Sequence, residues 1–284
     1  LRHLPLTEVA IPWSRSRGTE TAAALRAAGY TVAIDGADAD AIVEALGQSE
    51  GELAGNWFVS GSVLTEIGAR LDRPIPSLGL LVHHPEELTR ALLTANTFRP
   101  PAIAFARKAD PELRIDGILD EAARLGHEGI PITASVAPDI PLANGIVVAL
   151  AEGARRVSVP IETLLNAERP NENFVLVSEM NRRLSGARYA GQLEIGEGAR
   201  GYVFHSLADG AWTAWLWARD NRPVDVPLGD ARNIALRDAF NNPRTLGDYT
   251  TGRLALALGA DVLVLSGTGG SMLGSAARSQ AQQL

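Results

Sequence analysis

Residues 115–135 read IDGILDEAARLGHEGIPITAS, and this stretch holds the repeating unit that decides the fold. Its first part spaces apolar residues as an amphipathic helix does and then reaches Gly126, a residue typical of helix ends. Its last six residues, IPITAS, form a short apolar run that suits a strand buried on both faces of a parallel sheet. The stretch therefore predicts a helix followed by a buried strand.

The same unit repeats along the first two thirds of the chain. We predict seven strands there, most of them followed by an amphipathic helix: Val9–Trp13, Thr31–Asp35, Trp57–Ser60, Leu78–His83, Ala102–Ala106, Ile130–Ser135 and Arg156–Ile161. This α/β pattern fits a (β/α)8 barrel of the TIM type, complete or lacking a unit, or else a doubly wound open sheet. No GxGxxG follows the first strand, so the sequence predicts no nucleotide cofactor.

From about Ala187 the apolar pattern changes to a period of two residues, which predicts an antiparallel β-sandwich. We therefore divide the chain into a barrel domain (1–186), a β-sandwich domain (187–270) and a tail (271–284). The predicted sandwich strands are Tyr189–Ile195, Gly201–His205, Trp212–Ala218, Val224–Leu228, Asn233–Asp238, Arg253–Leu258 and Asp261–Leu265.

Composition excludes several classes of function. The chain has 284 residues and a net charge of −7, which argues against a general nucleic-acid binder. No apolar run reaches the roughly 18 residues that a membrane span needs. The absence of cysteine excludes disulfides and thiolate metal sites. No leader is visible at Leu1, so a secreted or periplasmic protein with its leader removed and a cytoplasmic protein both stay open.

Several segments between residues 115 and 265 are similar to glycoside hydrolases of the (β/α)8-barrel clan, of the family-39-like and family-5-like kinds. The likeness covers the end of the barrel and the small β-domain that follows it in these enzymes. The segments that carry it are Ala149–Val157, Leu184–Tyr189, Tyr202–Phe204, Asp209–Gly210, Trp215–Trp217, Leu236–Asn241 and Gly252–Leu265.

The resemblance implies a carbohydrate substrate and two catalytic carboxylates, an acid/base after barrel strand four and a nucleophile after strand seven, without a metal or other cofactor. This chain departs from that pattern. The strand Ile130–Thr133 looks like the family's "iPi.iTE" strand but continues with Ala134 and Ser135, where a glutamate is expected. No "NEP"-like motif ends a strand, since Asn171–Asn173 comes at the start of the last predicted helix.

Sites of such barrels lie at the C-terminal ends of the strands, and a sugar site needs carboxylates, hydrogen-bonding groups and aromatic faces. From these strand ends we select two candidate catalytic residues and five candidate substrate-binding residues. The catalytic candidates are Asp35 and Glu162, and the binding candidates are Trp13, His83, His84, Arg107 and Asp139.

Each candidate also has a purely structural interpretation. Asp35 precedes Gly36 and could form a turn, and Glu162 could occupy the first turn of a helix. Asp139 could cap a loop, and Trp13 could be buried at the barrel mouth. The adjacent histidines at positions 83 and 84 point to opposite faces of a strand, so we predict no metal site there.

The alternating Trp212, Trp215 and Trp217 favour packing in the sandwich core, although an exposed face would indicate a carbohydrate platform. Three functions stay open. The leading one is a glycoside hydrolase-like protein acting on a polysaccharide or oligosaccharide. The second is a catalytically inactive relative that binds a glycan or a partner. The third is a GT-B glycosyltransferase, in which residues 260–271 would form a strand that enters a Gly/Ser-rich loop holding a nucleotide sugar.

Overall fold

The structure is a computed structural model, and it describes residues 8–12, 18–28, 30–48, 56–71, 75, 78–83, 87, 89–90, 103–106, 115–136, 140–166, 169–250 and 252–269. The chain forms two compact units. The first comprises the described parts of Leu1–Ile140 and Glu152–Pro160, and the second those of Pro141–Ala151 and Ile161–Leu284. The predicted domain boundary at Gly186 falls inside the second unit's long segment and stays a prediction, and the tail 271–284 lies outside the described residues.

The first unit contains all seven predicted strands, paired in parallel in the order in which they occur along the chain. Their bounds are β1 Glu8–Pro12, β2 Thr31–Asp35, β3 Asn56–Val59, β4 Leu78–Val82, β5 Ile103–Ala106, β6 Ile132–Ser135 and β7 Arg156–Ser158.

This sequential order decides between the two predicted α/β topologies. In a doubly wound sheet the strand order reverses at a switch point, whereas in a barrel every crossover steps to the next strand in one direction. Because β1 to β7 follow one another without reversal, the barrel-type interpretation is confirmed and the doubly wound alternative is wrong. Among the described residues β1 and β7 do not pair with each other, so this sheet is not closed.

As far as it is described, the first unit itself contains four helices, with a further helical stretch described only at residues 87, 89 and 90; the helix that connects β6 to β7 belongs to the second unit. A side-chain cap starts the helix after β3, where the Ser60 hydroxyl accepts a hydrogen bond from the Val63 N–H at 3.4 Å. Asp38 caps the helix after β2 in the same way, through the Ala41 N–H at 2.8 Å. The four helices are Gly18–Ala27, Ala39–Gln48, Gly61–Arg70 and Ile115–Arg124.

Strand register gives the parallel sheet two unlike faces. Val59, Leu80, Ile103 and Ile132 lie side by side in one row, and each is at most 1% exposed. Residues on one face alternate with those on the other along each strand. The second face carries the residues that lie between these rows, and toward the C-terminal ends of the strands it includes several polar residues.

The second unit combines three helices with antiparallel strands, and no helix occurs between residues 187 and 269 as far as they are described. The helices are Leu142–Ala151, Ile161–Leu164 and Glu172–Leu184, and the strands are β8 Leu165–Asn166, β9 Arg169–Pro170, β10 Ala187–Gln192, β11 Ala199–Ser206, β12 Ala211–Ala218, β13 Arg222–Pro227, β14 Arg232–Asp238, β15 Tyr249–Thr250, β16 Arg253–Leu258 and β17 Leu263–Thr268. A five-stranded sheet has the order β10-β11-β12-β17-β14, a three-stranded sheet has the order β13-β16-β15, and β8 and β9 form a two-stranded ribbon.

The core of the second unit is built from alternate residues of these strands. Val203, Trp212, Leu216, Val226 and Leu265 all belong to it and are fully buried. Burial of a Val or Leu side chain contributes roughly 1.5–3 kcal/mol, so this shared cluster is a principal source of the unit's stability. The predicted β-sandwich is confirmed, with seven predicted strands corresponding to β10–β14, β16 and β17.

A glycine makes room for the largest side chain of this core. Gly267 of β17 lies opposite Trp212 of β12 in the antiparallel register. A Cβ atom at position 267 would lie 2.6 Å from Cζ2 of the Trp212 ring and 3.0 Å from the Arg232 carbonyl oxygen. Residue 267 must therefore be glycine for the indole ring to approach the strand this closely.

We predict that Gly267→Ala lowers the free energy of unfolding by about 1–3 kcal/mol, because the added methyl group overpacks the core against Trp212. Urea unfolding followed by tryptophan fluorescence measures the change. The control is Gly47→Ala, since a Cβ at that helical position meets no atom within 4 Å. Equal stability of both variants and the wild type would contradict this account of the core.

A tight loop follows β14, and the carboxylate of Asp238 organises it. One oxygen accepts the N–H groups of Phe240 at 3.0 Å and Asn242 at 2.8 Å. The other accepts the Asn242 amide at 2.9 Å and the Arg244 guanidinium at 3.1 Å. Burial raises the pKa of Asp238, but the hydrogen bonds from Asn242 and the Arg244 charge outweigh it, so the pKa lies below its ordinary value of 3.8.

Because the pKa of Asp238 is lower in the folded state, its stabilising contribution is present above about pH 4 and is lost as the pH falls through the folded-state pKa. We predict that Asp238→Asn costs about 1–3 kcal/mol at pH 7 and that the variant loses less stability than the wild type between about pH 5 and pH 2. Urea unfolding across that pH range checks this. The exposed Asp225→Asn is the control and should follow the wild type at every pH.

Candidate functional site

The second face of the parallel sheet collects polar side chains at the C-terminal strand ends. Asp35 is level with Phe58 in the register, and Ser60 comes two residues after Phe58 on the same face. His83 likewise comes two residues after Leu81 of β4, and Ser135 of β6 pairs with Ser158 of β7. Parallel strands bring their carboxyl ends to one edge of a sheet, so these residues form one polar rim.

Below this rim the same face holds a small apolar cluster. Ala33 and Phe58 are 1% and 4% exposed and pack together with the partly buried Leu81. The cluster closes the base of the face, whereas β2, β3, β4, β6 and β7 each have a polar residue at the last position or directly after it. The polar rim consists of Asp35, Ser60, His83, Ser135 and Ser158, all of them half-buried.

Backbone hydrogen bonds hold the ends of the rim strands in place. Gly36, at φ +76°, turns the chain out of β2 and donates its N–H to the Phe58 carbonyl at 2.9 Å. A side chain at this φ would be strained, which explains the glycine directly after Asp35. Val136 donates its N–H to the Ser158 carbonyl at 3.2 Å. These bonds fix Asp35 and the Ser135–Ser158 pair at defined heights on the sheet.

Ser60 and His83 are each tied to the start of the next helix. The Ser60 hydroxyl caps its helix and lies 3.0 Å from the Ser62 hydroxyl. The backbone N–H of His83 donates to the Glu87 carboxylate at 3.1 Å, which leaves the imidazole ring uninvolved in that bond. Ser60 therefore caps a helix in addition to forming part of the polar rim.

Of the seven residues predicted from the sequence, the structure brings Asp35 and His83 to the same rim. The segment with Glu162 belongs to the second unit, in the one-turn helix Ile161–Leu164. Two amides hold that helix, since Asn171 and Asn173 donate to the Thr163 carbonyl at 2.9 Å and 3.1 Å. The pairing of Asp35 with Glu162 stays a prediction. The other four, Trp13, His84, Arg107 and Asp139, lie outside the described residues.

The chemistry available at the described part of the rim is hydrogen bonding. Three hydroxyls, one carboxylate and one imidazole provide both donors and acceptors, as a sugar with many hydroxyl groups requires. No group of three or more His, Asp or Glu side chains within the described ranges is arranged to hold a metal ion. No helix found there is long and apolar enough to cross a membrane.

The tryptophans of the second unit do not form an exposed sugar platform. Trp212 and Trp215 are fully buried and Trp217 is 9% exposed, but only Trp212 belongs to the sandwich core, so the predicted core packing is confirmed for Trp212 alone. Trp217 stacks on Tyr202, with ring centroids 5.3 Å apart. Trp215 and Trp217 lie on the face of the five-stranded sheet opposite to Trp212, as their odd spacing from it requires.

The GT-B alternative is wrong, because it requires an α/β fold in residues 187–258. The strands described within that segment all pair in antiparallel fashion, and no helix lies among its described residues. The stretch proposed to enter a nucleotide-sugar loop is β17, an interior strand that pairs with both β12 and β14. Its Gly267 accommodates the Trp212 ring rather than a phosphate.

Comparisons with known proteins agree with this architecture. No protein-family profile matches the chain, and no curated protein does. Among solved structures, the chain is similar to a family 39 glycoside hydrolase from Bacteroides cellulosilyticus WH2, with a TM-score of 0.56 and 10% identity over 92% of this chain and 75% of that chain. The chain has a glycoside hydrolase-like fold. The resemblance found in the sequence is thereby confirmed for the fold.

Two further solved structures align less closely with this glycoside hydrolase-like fold. A family 44 xyloglucanase from Paenibacillus polymyxa has a TM-score of 0.49 at 5% identity, over 88% of this chain and 83% of that one. A family 51 α-L-arabinofuranosidase from Thermotoga petrophila RKU-1 has a TM-score of 0.48 at 10% identity, over 87% of this chain and 78% of that one.

Proposed function

We propose that this protein binds an oligosaccharide or polysaccharide at the polar rim of its first unit and does not hydrolyse it. The observation that carries the proposal is Ser135 at the end of β6. This strand resembles the one that carries the nucleophilic glutamate in the related hydrolases, and a glutamate is missing from it.

The second carboxylate position supports the same proposal. If β6 takes the place of barrel strand seven, then β3, three strands earlier, takes the place of strand four. Strand four precedes the acid/base in the related hydrolases, whereas β3 is followed by Ser60, Gly61 and Ser62. Both expected carboxylate positions therefore carry serine or glycine.

Serine does not replace a carboxylate in glycoside hydrolysis. The reaction passes through an oxocarbenium-like transition state that a negative carboxylate stabilises, and the acid must protonate the leaving oxygen. A serine hydroxyl is neutral at pH 7 and becomes a nucleophile only beside a general base. It does, however, donate and accept hydrogen bonds to sugar hydroxyls, which is what binding without hydrolysis requires.

Asp35 is the residue of the rim that supplies a negative charge. A carboxylate that accepts hydrogen bonds from sugar hydroxyls contributes more than a neutral acceptor, about 1.5–3 kcal/mol. Its half-buried position at the end of β2 strengthens such bonds, because the local dielectric constant is lower than that of water. We therefore assign Asp35 to sugar binding.

We predict that isothermal titration with cellohexaose, xylohexaose and maltohexaose finds binding of at least one of them, and that Asp35→Asn weakens it about tenfold or more. The control is Asp120→Asn, which removes an exposed carboxylate from the helix Ile115–Arg124 and should leave the affinity unchanged.

A reducing-sugar assay on the same hexasaccharides should show no release over a long incubation. Turnover that is abolished by Asp35→Asn or Glu162→Gln would contradict the proposal and favour an active hydrolase. Absence of binding for all three probes, together with no turnover, would contradict the assignment of the rim to these neutral sugars.

A further inference from the structure

Two arginine side chains of the second unit converge on one uncharged residue. Arg183, near the end of the helix Glu172–Leu184, donates from Nη2 to the Asn241 side-chain oxygen. Arg237 of β14 donates from Nη1 to the Asn241 backbone oxygen at 3.2 Å. Two guanidinium groups thus share a neutral partner, although like charges held close together repel each other.

The acidic groups nearby are largely committed to other cations. Glu179 accepts two hydrogen bonds from Arg182, at 3.2 Å and 2.7 Å, and lies 4.0 Å from Nε of Arg183. Asp238 is held by the Asn242 groups and by Arg244. Within the described residues Arg237 makes no ion pair, and buried Nε of Arg183 donates no hydrogen bond.

Electrostatics at Arg183 reflect this excess of positive charge. Burial lowers the pKa of Arg183, and the charges of Arg182 and Arg237 lower it further, while Glu179 raises it. The Arg183 side chain is 11% exposed, so its charge is poorly screened by water. The whole chain has a net charge of −7, so a local surplus of positive charge is not expected from its composition.

The loop that carries Asn241 is built to hold this arrangement. Asn241 has φ +73°, a conformation that costs energy for a residue other than glycine. Asparagine at this position gains an oxygen for Arg183 that glycine would not supply. The preceding residue, Phe240, is 38% exposed and presents part of an aromatic ring to solvent at the same loop.

We propose that Arg183, Arg237 and Asn241 form a binding site for the carboxylate of an acidic saccharide. Half-buried Arg237 reaches the anion with its planar fork of N–H groups, which matches a carboxylate. Arg183 adds its positive charge from its largely buried position, and Phe240 offers an apolar surface to the C–H groups of a sugar ring. The saccharide part of this inference rests on the proposed function, whereas the anion site rests on the arginines alone.

The test is a titration of the full chain with trigalacturonate, with neutral galactotriose and with sodium sulfate. Trigalacturonate should bind, its affinity should fall as salt rises, and galactotriose should bind at least tenfold more weakly. Arg237→Gln should weaken trigalacturonate binding about tenfold or more, since a charge-assisted hydrogen bond is lost. Arg253→Gln removes an exposed arginine from β16 and should leave the affinity unchanged.

Equal affinities for trigalacturonate and galactotriose would overturn the proposal, and this comparison needs no variant to fold. Unchanged trigalacturonate binding by a folded Arg237→Gln variant would also overturn it. Binding of sulfate without trigalacturonate would overturn the saccharide assignment. Failure here is distinguishable from failure of the proposed function, because Asp35→Asn should not alter trigalacturonate binding and Arg237→Gln should not alter hexasaccharide binding.

Discussion

The alternation of side chains along seven in-order parallel strands is the constraint on which the rest of the structure depends. One row, from Val59 to Ile132, places only large apolar residues on one face. Since the period of a strand is two residues, the other face receives Asp35, Ser135 and Ser158 at its C-terminal edge. A one-residue shift of any strand would exchange these faces. The register thus fixes both the core and the polar rim.

Most of the fold could be predicted from the sequence, because its signals are local. The apolar runs of β2 and β6 and the helix-ending Gly126 are readable without knowing their neighbours. The sequence does not indicate which other element each helix or strand packs against. The helix Leu142–Ala151 follows β6 as other helices follow their strands, yet it packs with the second unit, against β10 and β11. That choice depends on contacts between residues distant in sequence.

The candidate site was only partly predictable. Asp35 and His83 stand out because a carboxylate or imidazole after an apolar run is unusual. Ser158 was missed, since a serine inside RVSVPI has no local signal and joins the rim only through its pairing with Ser135. In the sequence Asn241 is notable only as the last residue of a family-like segment, and its hydrogen bond with Arg183 spans 58 positions along the chain. Such links are set by tertiary packing.

Our central proposal is that serine in place of both carboxylates distinguishes this protein from the hydrolases whose fold it shares. A crystal structure of the protein soaked with cellohexaose or xylohexaose tests it most directly. We expect an intact, uncleaved hexasaccharide that contacts Asp35 and lies beside Ser60 and Ser135. A shortened sugar, a sugar covalently joined to a carboxylate, or a chain bound away from these three residues would contradict the account.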